Sequence, residues 1–539
     1  MSNPLLRIER LALALPEGAD RLYAAENLNY ELNRGEILCV VGESGSGKSM
    51  TANAVMGQLP PGVRAAEGRV LFDGIDLLRL SEPEHRKLRG RRIGMIFQEP
   101  MTALNPLMRI GEQIAEVFEA HGLLTTRQRQ ARVIELIDEV GLPDPRSIAR
   151  AYPFELSGGQ RQRVMIAMAL ALEPELLIAD EPTTALDVTT QAQILRLIKA
   201  LQARRGMAVM FITHDFGVVA EIADRVCVMR HGRIVEMGTA EALLAAPQEA
   251  YTRALIDAIP GDALPPEREA REEVLLSVEG LSKVYRSGGG WFKPKREVAA
   301  LNDISLTLGR GETLGIVGES GSGKSTLGRC IVGLERPDAG VMQFAGAPLE
   351  NRSAALRRRI QMVFQDPYAS LNPRIRIGMA IAQGPIANGV AKAEALAQAR
   401  TLLATVGLDE AVAERYPHEF SGGQRQRIGI ARALALAPEL IVADEAVSAL
   451  DVSIQAQVLE LFVRLKRELN LSLLFITHDL RVAAQICDRL IVMRKGLIVE
   501  QGSAQRIFTA PREAYTKELL AAIPGRDRGV SHLATVTAG

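Results

Sequence analysis

The sequence has no apolar run approaching the ~20 residues that a membrane-spanning helix needs, although hydrophobic residues make up 47% of it. A helical crossing of a bilayer is excluded, while the apolar content suffices for ordinary cores. Nor is there an excess of one charge. Lys plus Arg and Asp plus Glu are 64 each, so nothing global argues for nucleic acid or an anionic membrane, and any partner has to be read from local sites. The N-terminus MSNPLLRIER lacks a basic region followed by an apolar stretch; no signal peptide is visible, and the chain is expected to stay in the cytosol. Cysteine is scarce. Cys39, Cys227, Cys330 and Cys487 fall in strand-like or helix-like segments without CxxC spacing, which points to buried reduced thiols rather than metal ligands or disulfides.

What the chain does have is a duplication. The octamer GESGSGKS occurs at Gly42, Glu43, Ser44, Gly45, Ser46, Gly47, Lys48 and Ser49, and again at Gly318, Glu319, Ser320, Gly321, Ser322, Gly323, Lys324 and Ser325. It fits the P-loop pattern, in which glycines free backbone N–H groups to wrap phosphate oxygens, the lysine adds a point charge, and the serine hydroxyl reaches Mg²⁺. The apolar stretches Ile37–Val41 and Thr313–Val317 read as short buried strands feeding each loop. Helix-compatible runs follow from Ser49 and Ser325, so a helix N-terminus faces the phosphates.

Four further motifs follow each octamer in the same order. Ser157 and Ser421, Asp180 and Asp444, and His214 and His478 are all separated by 264 residues, whereas the P-loop lysines are 276 apart and Gln98 and Gln365 are 267 apart. The halves are therefore colinear over their later two thirds and differ earlier only by loop lengths. Short apolar strands such as Leu176–Ala179 and Val209–Thr213 alternate with helical patterns, which favours a mainly parallel sheet covered by helices, an α/β core. Between Gln98 and Ser157 the pattern turns helical: Val133, Ile134, Ile137 and Val140 define an apolar stripe, matched in the second half by Ala391–Val406. Prolines and charges interrupt both periodicities around Pro260–Glu273. The expected division is 1–261, a linker at 262–273, 274–525, and a disordered end at 526–539.

LSGGQ at Leu156–Gln160 and FSGGQ at Phe420–Gln424 each open an amphipathic helix, where Ser157, Gly158, Gly159 and Gln160, and Ser421, Gly422, Gly423 and Gln424, suit the presentation of hydroxyl and N–H groups to an anion. LLIAD and LIVAD place Asp180 and Asp444 at the end of a buried strand, where each can hold Mg²⁺ beside the P-loop serine. Paired twice with P-loops, these motifs resemble those of the ATP-binding cassette (ABC) ATPases from about Arg7 to Gly525. The resemblance implies two tandem P-loop NTPase domains, each with a RecA-like core, an antiparallel β subdomain and a helical signature subdomain. It further implies ATP and Mg²⁺ as cofactors, Glu181 and Glu445 orienting the attacking water, Gln98 and Gln365 touching the metal, and His214 and His478 contacting the γ-phosphate. Leu186–Asp187 and Leu450–Asp451 match the D-loop. In that family each P-loop faces the signature of the other cassette, which pairs Lys48 with Ser421 and Gly423, and Lys324 with Ser157 and Gly159. The metal set is then Ser49, Gln98 and Asp180, and Ser325, Gln365 and Asp444. Tyr285 fits the adenine-stacking aromatic of the second half; the matching position in the first is Leu15, with Tyr23 as a substitute. Pro182 against Ala446 and Leu156 against Phe420 replace no reacting group.

Finer resemblance lies in FQEPMTALNP and FQDPYASLNP, in ALDVTTQAQIL and ALDVSIQAQVL, and in the tails PQEAYTRALIDAIPG and PREAYTKELLAAIPG. These are similar to the dipeptide/oligopeptide/nickel importer ATPases in their fused form, as in glutathione-type and microcin C-type peptide importers. That implies two permease subunits and an extracytoplasmic solute-binding protein as partners, no nucleic acid, and a peripheral position on the inner membrane. The iron–sulfur cluster that some members bind through cysteines after the tail is not expected, since no cysteine lies between Cys227 and Cys330 or beyond Cys487. Alternatives are ribosome-associated tandem-cassette proteins, which carry a long charged helical linker, and importer ATPases for another solute such as nickel, glutathione or sugar. The insertion Ser287–Glu297 reads as a surface loop, and the arginines at Arg89–Arg92 and Arg357–Arg359 as solvated faces that precede each Q-loop.

Overall fold

A computed structural model describes residues 4–183, 186–257, 273–287, 296–349, 353–448 and 450–525. The expected linker, apart from Glu273, and the expected C-terminal end lie outside the described residues, as does most of the insertion after Ser287. The chain divides into two compact units, whose main stretches are Met1–Leu186 with Thr190–Ile259, and Pro260–Ile523.

In the first unit a six-stranded sheet runs in the order Arg233–Thr239, Arg225–Arg230, Ile37–Val41, Ala208–Thr213, Leu176–Asp180, Ile93–Ile96. All neighbours are parallel except the outermost pair, Arg225–Arg230 with Arg233–Thr239, which is an antiparallel hairpin. Such a sheet must be covered on both faces, and the central strand Ile37–Val41 is accordingly apolar and buried at every position. Ile37, Cys39 and Val41 face a core shared with the helical subdomain, while Leu38 and Val40 face one shared with a second, antiparallel sheet. That sheet has the order Tyr23–Leu32, Leu6–Ala14, Arg64–Phe72, Ile75–Asp76.

The second unit repeats the plan. Its main sheet is Ile360–Val363, Leu440–Asp444, Ser472–Ile476, Thr313–Val317, Arg489–Arg494, Leu497–Ser503, and its antiparallel sheet is Arg296–Gly309, Val274–Ser287, Ala339–Phe344, Ala347–Pro348. The four cysteines are buried free thiols, and burial pushes that of Cys227 up to about 12.

The helical insert of the first unit consists of Ile110–Ala120, Thr126–Glu139 and Pro145–Arg150, leading into Gly158–Ala169. The expected stripe is shifted by a residue. Val133, Leu136, Ile137 and Val140 are buried, whereas Ile134 is only half-buried: Thr126–Glu139 packs against Ile110–Ala120, Pro145–Arg150 and Gly158–Ala169, and the side buried among them is the one that carries Leu136. In the second unit the run Ala391–Val406 forms the helix Lys392–Thr405, with Ala391 and Val406 as its caps.

The arginines ahead of the Q-loops are not simply solvated. Arg89 donates to the carbonyls of Met56 and Gly57 at 2.7 and 2.9 Å, satisfying the C-terminus of the P-loop helix. Arg92 and Arg359 pair with Glu175 and Glu439 and lie over the rings of Phe72 and Phe344. Arg357 and Arg358 are exposed, as expected of a solvated face.

Candidate active site

Each phosphate loop is the turn between the central strand and a helix that begins at its lysine, Lys48–Met56 in one unit and Lys324–Val332 in the other. Gly42 and Gly318 adopt φ of 151° and 148°, and a Cβ there would lie 2.2 Å from the carbonyl oxygen of Met229 and 2.1 Å from that of Met493. Only glycine lets the loop lie this close to the neighbouring strand. The lysines are buried, 5% and 4% exposed. Lys48 Nζ donates to Gly42 O at 2.6 Å and Glu43 O at 2.9 Å, and Lys324 Nζ to Gly318 O at 2.7 Å and Glu319 O at 2.8 Å. The loop's own carbonyls thus hold each ammonium beneath the N–H groups that open towards the phosphate position.

Ser49 Oγ donates to Asp180 Oδ1 at 3.0 Å and Ser325 Oγ to Asp444 Oδ1 at 2.8 Å. Burial, the largest influence, raises the pKa of both aspartates, against the opposing serine hydrogen bonds. This donor set fits Mg²⁺: a hard cation held by one carboxylate and a hydroxyl takes its remaining ligands from substrate phosphates and water. Among the described residues no group of three His, Cys, Asp or Glu side chains offers an all-protein metal cage.

The next residue in each unit is Glu181 or Glu445, in the left-handed region at φ 45° and 47°. For a non-glycine residue this conformation is costly, and it persists because the backbone N–H is tied to Ile212 O at 3.0 Å in one unit and to Ile476 O at 2.9 Å in the other. The kink turns the carboxylate out of the strand. Gln98 Nε2 donates to Glu181 Oε2 at 3.2 Å, and His214 Nδ1 lies 3.4 Å from the same oxygen; the counterparts are Gln365 to Glu445 at 2.8 Å and His478 at 3.5 Å. Burial is the largest influence on Glu445 and by itself raises its pKa, but the hydrogen bond and charge of His478, with Lys324, hold it below the ordinary carboxylate value. Burial likewise lowers His478, and Glu445 together with Asp479 prevails and raises it. Lys, Ser, Asp, Glu, Gln and His are therefore brought to the end of one sheet in each unit. That is the layout of a P-loop nucleoside triphosphatase, built twice.

Ser157 and Ser421 are N-caps of the helices Gly158–Ala169 and Gly422–Leu434, in capping boxes closed by Gln160 and Gln424. The adjacent glycines have a packing reason that the sequence does not display. A Cβ on Gly159 would lie 2.5 Å from Thr190 Cγ2, and one on Gly423 2.3 Å from Ile454 Cγ2. Tyr285 is 36% exposed, with Lys283 Nζ 5.6 Å from its ring centre. The registers Leu6 with Phe72 and Leu276 with Phe344 place Leu15 at the position equivalent to Tyr285. Leu15 packs on the core, and Tyr23 pairs with Ala14 on the adjoining strand.

Three contacts to the phosphate loops escaped the sequence. Arg21 donates to Gly45 O, and the tail residues Tyr251 and Tyr515 accept from the backbone N–H of Glu43 and Glu319. The only available signal for the tyrosines was their presence in both AYT tails at the common spacing of 264.

Comparison with known proteins agrees with this layout. The ABC transporter family model matches residues 25–184 and 301–448, and a model of the oligopeptide/dipeptide transporter C-terminal region matches 235–296 and 499–537. The chain belongs to the ABC transporter family, as a tandem pair of cassettes, and is an ATP-binding ATPase of that family. It is 48% identical to the peptidoglycan transport ATP-binding protein YejF of Agrobacterium fabrum over 97% of this chain and 96% of that one. It is 45% identical to the glutathione import ATP-binding protein GsiA of Pectobacterium atrosepticum over 97% and 90% of the two chains. A solved dimeric ATP-binding cassette with ADP and phosphate is 31% identical, covering 44% of this chain and 98% of its own, at a TM-score of 0.40.

Proposed function

We propose that the chain is the energy-coupling subunit of an importer for peptides or peptide-like solutes, acting with two permease subunits and an extracytoplasmic binding protein on the inner face of the membrane. The observation that carries this reading is the match of both tails to the oligopeptide/dipeptide transporter C-terminal region. The solutes for which the relatives are named, peptidoglycan and glutathione, share a peptide moiety and support the solute class. Among the described residues no helix is long and apolar enough to cross a membrane, so the translocation path has to come from other chains.

Within each cassette the phosphate loop and Lys48 or Lys324 bind the phosphates. Glu181 or Glu445, steadied by the glutamine and the histidine, orients a water for attack on the terminal phosphate. Ser49 with Asp180, and Ser325 with Asp444, would hold Mg²⁺, joined by Gln98 and Gln365; the bound cation supplies charge neutralisation at the phosphates. Ser157 with Gly159, and Ser421 with Gly423, complete the opposite cassette's nucleotide site, as the family resemblance implies, and Tyr285 stacks on adenine in the second half.

Deleting the chain is expected to abolish uptake of a labelled di- or oligopeptide, with restoration by the wild-type sequence but not by Lys48→Ala or Lys324→Ala. Normal peptide uptake in the deletion strain, with a defect in sugar uptake or translation instead, rejects the assignment.

A further inference from the structure

The tail that distinguishes these cassettes has no part in the chemistry described so far, yet in both units it ends on the phosphate loop. In the first, the helix Ala250–Asp257 carries Tyr251, whose hydroxyl oxygen accepts from Glu43 N–H at 3.3 Å. In the second, the helix Ala514–Ala521 carries Tyr515, which accepts from Glu319 N–H, also at 3.3 Å. The N–H of Glu43 and the C=O of Gly42 belong to one peptide unit, and a peptide unit is planar and rigid. That same C=O accepts from Lys48 Nζ, as Gly318 O accepts from Lys324 Nζ. Tyrosine and lysine therefore grip opposite ends of one plate. Fixing the plate at its N–H fixes the carbonyl on which the ammonium rests.

The tyrosine is itself held on two sides. The guanidinium of Arg230 lies 4.6 Å from the centre of the Tyr251 ring, and that of Arg494 lies 4.4 Å from that of Tyr515. Each arginine is the residue after Met229 or Met493, the carbonyl that Gly42 or Gly318 packs against. On the other side, Glu236 accepts from the backbone N–H groups of Gln248 and Glu249 at 2.8 and 3.2 Å, and Glu500 from those of Arg512 and Glu513 at 2.9 and 3.2 Å. These carboxylates anchor the start of the tail helix to the main sheet. Burial, the largest influence, pushes both phenols up to about 12, so each oxygen accepts as a neutral hydroxyl at any working pH.

We infer that Tyr251 and Tyr515 are positioning residues for the phosphate-loop lysines, and that the tail serves nucleotide binding by clamping the peptide unit that carries each lysine's carbonyl seat. The inference rests on the family's ATP chemistry and not on the identity of the solute.

The test is Tyr251→Phe with Tyr515→Phe in the full-length chain, which removes two oxygens and keeps both rings. ATP is titrated by calorimetry in EDTA to prevent turnover, beside thermal melting without nucleotide. The Kd for ATP is expected to rise about three- to tenfold, the span a neutral hydrogen bond supports, with two sites per chain still titrating. A merely structural role moves the melting temperature or the number of sites and leaves Kd alone. If the variant melts lower, the titration of the fraction still folded decides equally, because Kd does not depend on how much chain is folded. A wild-type Kd overturns the inference, whatever the melting temperature.

Discussion

Single residues set the limits of this site more sharply than any element does. Gly318 is tied to its place by a carbonyl 2.1 Å from where a Cβ would sit, and that oxygen belongs to a strand of the main sheet that cannot yield. Gly318→Ala is therefore expected to displace the loop and abolish ATP binding in the second half. Gly346, at φ 76° in a turn with nothing within 4 Å, serves as the contrast: Gly346→Ala should cost only the strain of the left-handed backbone, about 1 kcal/mol, and leave ATP affinity unchanged. Thermal melting and an ATP titration on each variant check the pair; ATP binding retained in Gly318→Ala contradicts the packing argument. Glu181 and Glu445 show the same economy of means. Their left-handed backbone, forced by the tie to the next strand, aims a carboxylate that would otherwise continue down the sheet.

At the scale of elements, the signature serines are N-caps for which a second, nucleotide-contacting role is proposed, and substitution separates the two. Ser157→Asp keeps a strong N-cap acceptor but sets a negative charge at a helix N-terminus expected to meet nucleotide phosphates. Its melting temperature should stay near wild type while ATP turnover falls. Ser157→Ala should lose about 1 kcal/mol of stability as well. Equal turnover in the wild type and the Asp variant would show that Ser157 is a cap and nothing more.

Elements of this kind were largely legible in the sequence. Ile37–Val41 and Thr313–Val317 are strands at their expected bounds, because unbroken β-branched and apolar runs ending in a glycine-rich loop admit little else. The insert helices were legible by period, but the stripe on Thr126–Glu139 was misplaced by Leu136 and Ile134, since a helix touched on several sides does not announce which side dominates. Arg89 and Arg92 looked solvated because a charge run gives no sign of the carbonyls and rings it will cover. The contact of Tyr251 with Glu43 spans 208 positions of sequence, and no local pattern encodes it.

For the whole molecule, the duplication is the fact that matters most. Both halves keep the lysine, the serine, the aspartate, the glutamate, the glutamine and the histidine, and in each unit they take the same arrangement within a few tenths of an ångström. The differences, Leu15 for Tyr285 and Pro182 for Ala446, touch no reacting group. One chain is thus expected to carry two working hydrolytic sites in place of one active and one idle, and joining them keeps the effective concentration of each half near the other high at any dilution. The direct measurement is ATP turnover by the chain assembled with the proposed permeases, for Glu181→Gln and for Glu445→Gln separately. Both variants should still bind ATP, and each should lose about 100-fold or more in turnover, as expected when a pre-positioned charged group is removed from a transition state. Wild-type turnover in either variant would mean that its half does not hydrolyse ATP, and would contradict the account.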